Sequence, residues 1–159
     1  MPVFDASSML RGWDQYPIAL FPGLWSWLGK RVASKSIRLP KVAFGEVGHK
    51  AQDCCEWLEA NDHKVIVATP QIYDTALRIA TALQIENDAF DPEGVDHNDL
   101  LIIATACVQK DTLVTDESLQ FKLPKNLKKY KIPAVCDLPT VRVNCVSFLK
   151  YISQAKSAF

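Results

Sequence analysis

What the chain lacks narrows it first. It has no excess charge: 18 lysine and arginine residues balance 18 aspartate and glutamate residues. A neutral chain exerts no global pull on nucleic acid, so binding to a polyanion has to come from a local patch. No apolar run approaches ~20 residues, which excludes a membrane-spanning helix. The start, Met1-Pro2-Val3-Phe4-Asp5, carries neither a basic region nor an apolar signal core. Glycine is scarce, at six residues, and forms no phosphate-cradling loop and no nucleophile elbow. The five cysteines, Cys54, Cys55, Cys107, Cys136 and Cys145, include no C-x-x-C pair. An odd number without zinc spacing reads as free thiols in a reducing, cytoplasmic setting. His49, His63 and His97 are scattered and are assigned to neither metal nor general base work.

What is present is one domain's worth of alternating patterns, residues 1–159. Strand-like runs occur at 2–5, 36–39, 65–68, 113–115 and 141–145. Helical spacing occurs near 20–34, 40–61, 69–85, 99–108 and 146–152. Trp25, Leu28 and Val32 mark the first of these helices. Phe44, Val47, Ala51, Cys55 and Leu58 form a stripe with a period near 3.6 along the second. Residues 86–98 read as a polar loop and 117–131 as a basic loop or irregular helix. Strands alternating with helices predict an α/β fold with a mostly parallel sheet of four to five strands.

Four acids fall at informative places in this pattern. Asp5 ends the first apolar strand, Glu46 lies within a helix, Asp99 opens the apolar helix and Asp116 ends the 113–115 strand. Ligands of open α/β sheets bind beyond the carboxyl ends of the strands, where these four can converge. Carboxylates gathered without a basic partner repel one another, and a hard divalent cation relieves that repulsion. Each acid also has a plain structural reading. Asp5 could cap the turn that follows, and Glu46 falls off the apolar stripe, as a surface residue would. Asp96 and Asp99 have capping-box spacing, the reading favoured for Asp96. Gly45 and Gly48 flank Glu46 and would permit close approach of a backbone or ligand.

Lys122, Lys125, Lys128, Lys129 and Lys131 make the densest charge run, with Phe121 and Tyr130 interleaved. Such a run is commonly a solvated loop. Its position just after the fourth acid also suits a phosphate backbone held against the site. Lys30, Arg31, Lys35, Arg38 and Lys41 are the next patch to consider.

These motifs resemble the PIN domain, the nuclease fold of VapC-type toxins. Val3-Phe4-Asp5-Ala6-Ser7-Ser8 matches its first motif, an aspartate after an apolar strand followed by a small hydroxyl residue. Leu39-Pro40 through Glu46 matches the second, Asp99 through Ala106 the third, and Leu113-Val114-Thr115-Asp116-Glu117 the fourth. The fourth acid is taken as Asp116, with Glu117 as the alternative. Residues 16–25 and 131–136 further resemble a PIN-like bacterial family of uncharacterised function. The resemblance implies a three-layer α/β/α fold and a metal-dependent endoribonuclease, the toxin of a toxin–antitoxin pair. It implies Mg²⁺ or Mn²⁺ held by Asp5, Glu46, Asp99 and Asp116, with Ser7 and Thr115 supporting from behind. It implies the lysine run as RNA contact, an antitoxin partner and a homodimer. Two alternatives stand beside it: a catalytically inactive PIN-like module binding RNA or protein, and a metal-dependent phosphohydrolase of a small molecule.

Overall fold

A computed structural model describes residues 1–155 and 159. At its centre lie three short parallel strands, β1 (Val3–Phe4), β2 (Leu113–Val114) and β3 (Cys145–Val146), in the order β1-β2-β3. Val3 pairs with Leu113 and Phe4 with Val114; Leu113 pairs in turn with Cys145 and Val114 with Val146. Successive strand residues face opposite sides of a sheet. Val3, Phe4, Leu113 and Val114 are all buried, so both faces are covered, as a parallel sheet requires.

The four to five strands expected from the sequence are reduced to three among the described residues. Residues 36–39 and 65–68 contribute only single parallel bridges, Val3 to Arg38 and Pro40 to Ile66. Pro40 has no N–H to extend a ladder. The 141–145 run pairs only from Cys145 onward. Arg142 adopts a left-handed φ of 51°, which breaks the extended chain before it.

Helix α1 (Ala6–Gln15) follows β1 directly, an element the sequence pattern does not announce. Helix α2 (Pro22–Ala33) buries Trp25, Leu28 and Val32 as expected, with Pro22 in its first turn. The helix expected over 40–61 is two helices, α3 (Lys41–Lys50) and α4 (Gln52–Ala60), divided at Ala51 with φ −149° and ψ 86°. Gly48 lies beneath that fold-back. A Cβ there would stand 3.3 Å from Cys55 Sγ, so α4 packs onto the missing side chain. Gly45 instead faces open space.

Helix α5 (Pro70–Ala82) is capped by Thr69, whose hydroxyl accepts from Ile72 N–H at 3.3 Å. It packs along α6 (His97–Gln109), whose residues Leu100–Ala106 are buried to the last side chain. That burial is complete within one chain, so α6 offers no apolar face for self-association. Two short helices close the fold, α7 (Ile132–Cys136) and α8 (Phe148–Gln154). The basic segment 117–131 is loop apart from a 3₁₀ turn at Leu127–Lys129. It is stitched to the 91–95 loop: Val95 N–H donates to Tyr130 O, and Gly94 lies so close that a Cβ would collide with Lys128 O. All five cysteines are free thiols. Among the described residues no helix is long and apolar enough to cross a membrane.

Candidate functional site

Asp5 leaves β1 at the carboxyl edge of the sheet and occupies the N-cap position of α1, yet its side chain does not cap the helix. The carboxylate turns sideways instead. Its Oδ2 accepts from Ser7 Oγ at 2.6 Å and from Thr115 Oγ1 at 2.9 Å. Those two hydroxyls lie 3.1 Å apart. Asp5 is buried, and its own N–H donates to Val114 O. Ser8 Oγ donates to both Asp5 O and Val114 O, fastening the start of α1 to β2. The hydroxyls are themselves shared: Ser7 Oγ accepts from Asp116 N–H at 2.9 Å, and Thr115 Oγ1 accepts from Glu117 N–H at 3.2 Å. Adjacent strand ends and the first turn of α1 thus form one polar knot around a single carboxylate.

Four other acids feel the Asp5 charge. Glu46 on α3 is half-buried; burial chiefly raises its pKa, helped by Asp5 and Asp96 and opposed by a hydrogen bond with Asn98 and by Lys50. Asp99 is pushed up to about 8, first by burial and further by the charges of Asp96, Asp5 and Glu117, against the hydrogen bond it accepts from Asp96 N–H. Asp116 is raised by burial and by Asp5, against the Phe148 N–H and the Arg11 charge. Glu117 is raised by burial, Asp5 and Asp96, against Lys131 and Lys50. Like charges and burial both favour the protonated acid, and here they act together.

The structure therefore brings Asp5, Glu46, Asp99 and Asp116 into one electrostatic neighbourhood, and adds Asp96 and Glu117 to it. Asp96 and Asp99 form a full capping box. Asp96 Oδ1 accepts from Asp99 N–H at 2.9 Å, and Asp99 Oδ2 accepts from Asp96 N–H at 3.0 Å. The helix begins two residues before the expected start, so Asp99 sits inside its first turn. Asp116 and Glu117 part company. Asp116 Oδ2 accepts from Phe148 N–H at 3.1 Å and its side chain borders a cavity beside Arg11. Glu117 borders a smaller cavity, about 180 Å³, with Asp99 and Lys131. Glu117 shares its charged neighbours with Glu46 and Asp99, whereas Asp116 shares only Asp5.

The cluster is not without basic partners, contrary to the expectation. Arg11, Lys50 and Lys131 each act on one or two of its acids. Of the lysine run, Lys131 is the member that reaches the site. Lys129 pairs with Glu93 at 2.8 Å, and Lys122 and Lys125 are exposed. Sequence reading missed Arg11 and Lys50, although each follows a site residue by four positions: Ser7 on α1 and Glu46 on α3. All candidate donors here are carboxylate oxygens, the type that hard divalent cations prefer. Among the described residues no three acidic, histidine or cysteine side chains are gathered tightly enough to hold an ion by themselves.

The fold is similar to that of a chain in the crystal structure of VapBC2 from Rickettsia felis bound to a DNA fragment from their promoter. The TM-score is 0.53 at 14% sequence identity, covering 92% of this chain and 97% of that one. The likeness carries the architecture: an α/β, PIN-like fold on a parallel sheet. No curated protein matches the chain. The sequence family described as a domain of unknown function, DUF4411, matches residues 3–159.

Proposed function

The chain belongs to the DUF4411 family, and from that footing we propose that it is a metal-dependent endoribonuclease acting as the toxin of a toxin–antitoxin pair. One observation carries the reading: a buried strand-end carboxylate, Asp5, oriented by two hydroxyls and surrounded by acids whose proton affinity is raised. A fold that gathers like charges at the carboxyl edge of a parallel sheet does so against its own stability, and a cation relieves that cost. The likeness to a VapBC2 structure supports the same reading through the fold alone.

Asp5, Glu46 and Asp99 would hold Mg²⁺ or Mn²⁺, with Asp116 or Glu117 completing the acidic set. The shared couplings of Glu117 favour it for the face near Asp99. Mg²⁺ binds through one or two carboxylates with water and substrate phosphate as its remaining ligands, a shell that suits half-buried acids set apart from one another. When bound, the metal supplies a nucleophilic water at neutral pH and charge neutralisation at the scissile phosphate. The chain's own residues do the rest. Ser7 and Thr115 fix the Asp5 carboxylate by donating to Oδ2. The capping box fixes Asp99, whose proton must leave before the carboxylate can serve as a ligand. Lys131 offsets charge beside Glu117. Water attacking phosphorus in line with the P–O3′ bond, which breaks, would leave a 5′-phosphate on one fragment and a 3′-hydroxyl on the other. An antitoxin segment covering the acidic edge, and a homodimer, complete the proposal.

The test uses purified protein on structured and unstructured RNAs, with and without Mn²⁺. Cleavage should need the metal, cease with EDTA and disappear in Asp5→Asn, which should still unfold cooperatively on heating. Cleavage that survives either treatment refutes the site.

A further inference from the structure

A cavity of about 490 Å³ opens beside the acidic edge, lined by Ser7, Leu10, Arg11, Trp13, Lys50 and Asp116, with Asp14 and Ala51. Its walls come from α1 and α3, which pack against each other. Residues four apart share a helix face. Arg11 therefore stands one turn beyond Ser7, and Lys50 one turn beyond Glu46. Both cations are exposed, and neither forms an ion pair within 4 Å among the described residues. Both lower the proton affinity of acids at the edge, Arg11 that of Asp116 and Lys50 that of Glu46 and Glu117. Trp13 is half-buried. Its indole is braced edge-on by Trp25 at 5.1 Å and tilted against Trp57 at 6.3 Å. That bracing holds it as a fixed wall of the cavity.

We infer that this cavity is a nucleotide subsite for single-stranded polynucleotide, with Arg11 and Lys50 holding one backbone phosphate and Trp13 stacking a base. The inference rests on the nuclease reading for its direction, since it extends the substrate path from the acidic edge along α1 and α3. A guanidinium and an ammonium that are exposed and form no ion pair among the described residues suit a phosphodiester, and a braced indole suits an unstacked base. Asp14 and Asp116 also line the cavity. Asp116 Oδ2 is already engaged, accepting from Phe148 N–H at 3.1 Å. Paired bases are not available to Trp13, so the cavity selects single strands.

The experiment measures binding in EDTA, using the full chain carrying Asp5→Asn and a fluorescent oligoribonucleotide of about eight nucleotides. Anisotropy is recorded across a KCl series. Arg11→Gln with Lys50→Gln should weaken binding roughly ten-fold or more and lower the log–log salt slope by about 0.7 for each phosphate no longer held. Trp13→Leu should weaken binding by roughly ten-fold, and Trp13→Tyr should restore most of it. The tyrosine variant keeps the test valid should the leucine variant unfold. A duplex of the same sequence should bind more weakly than the single strand. Wild-type affinity and slope in the double cation variant overturn the inference, as does duplex binding that equals single-strand binding. The two readings fail separately. If the wild type cleaves RNA with Mn²⁺ and the cation variant keeps its KM, the subsite is wrong and the nuclease stands. If the oligonucleotide binds through Arg11, Lys50 and Trp13 but the wild type cleaves nothing, the subsite stands and the nuclease falls.

Discussion

Raising the pH from 6.5 to 9 in EDTA perturbs the Asp99 carboxyl above all other groups in the acidic edge. Its pKa is pushed up to about 8 from an ordinary 3.8, so across much of this range the folded chain keeps a proton that the unfolded chain has released. The Asp99 contribution to stability therefore falls as pH rises from about 4 and levels off above about 8. Glu46, Asp116 and Glu117 are raised too and act in the same sense. His63 acts oppositely. Burial and the charges of Lys35 and Arg38 push it down from 6.5 to about 4. It is neutral in the fold while the unfolded chain takes up a proton, so its contribution rises with pH and is complete by about 6.5. Above that point the carboxylates are joined, close to pH 9, by the thiols of Cys54 and Cys55, raised by burial, and of Cys136, raised by its hydrogen bond with Cys145; Asp99→Asn keeps all three, so its difference from the wild type isolates Asp99.

Each pH unit of difference in protonation is worth about 1.4 kcal/mol, which gives Asp99 about 2 kcal/mol between pH 6.5 and 9. Sharing of the proton among neighbouring acids and partial solvent access halve that to about 1 kcal/mol. For a domain of this size the unfolding midpoint should drop by about 2–4 °C. Millimolar Mn²⁺ should restore it at pH 8, because an ion bound only to the folded chain stabilises it by mass action. Asp99→Asn keeps an acceptor for Asp96 N–H and removes the charge. It should be flatter than the wild type between pH 6.5 and 9 and gain less from Mn²⁺. Differential scanning fluorimetry across pH, with and without metal, reads all four curves. A wild type that is flat in EDTA, or an asparagine variant that falls as steeply, refutes the reasoning.

Other expectations are simpler. Thr115→Val keeps the shape of the side chain and removes a hydroxyl that donates to Asp5 at 2.9 Å and accepts from Glu117 N–H; single-turnover RNA cleavage should slow by about 10–100-fold, and urea unfolding should show a loss of about 1–3 kcal/mol. Gly94→Ala drives a Cβ into Lys128 O, so the backbone must shift, and urea unfolding should show a loss of about 1–3 kcal/mol. Changing Lys122, Lys125 and Lys128 to glutamine tests the remainder of the basic loop: if they hold RNA, the salt slope of binding falls by about 0.7 for each phosphate released, and if they are merely solvated it stays where it was.

What could be read in the sequence follows from which interactions are local. The Asp96-x-x-Asp99 capping box is four residues of chain, so its spacing announces it, and Thr69-Pro70 marks the start of α5 in the same way. The 40–61 stripe keeps a 3.6-residue period straight through Ala51, so periodicity sees one helix. The break shows only in the packing of α4 back onto α3, where Cys55 lies against Gly48, a contact between helices. Helix α1 was hidden by Ser7, Ser8 and Gly12, which favour caps and turns over helix interiors. With α1 unread, Arg11 could not be placed one turn beyond Ser7, and the cationic side of the acidic edge stayed out of sight. The strands were legible as apolar runs, but not their lengths. Those are set by Pro40, which lacks a donor, and by the left-handed backbone at Arg142.

The same short sheet explains why so small a ladder suffices. Val3 opposite Leu113 and Phe4 opposite Val114 fix a register that continues to Asp5 opposite Thr115. A slip of one residue would turn Thr115 to the other face of the sheet and take its hydroxyl from Asp5. It would also take Asp116 N–H away from Ser7 Oγ. Four buried apolar side chains, two on each strand, make that slip costly, since each would exchange its face of the core for another of different shape. Ser8 adds a lock by donating to Asp5 O and Val114 O together, a pair that lines up in this register. The two-residue strands thus act less as a large hydrogen-bonded surface than as a ratchet that sets one carboxylate against one hydroxyl. The surrounding helices then supply the burial that holds the ratchet shut.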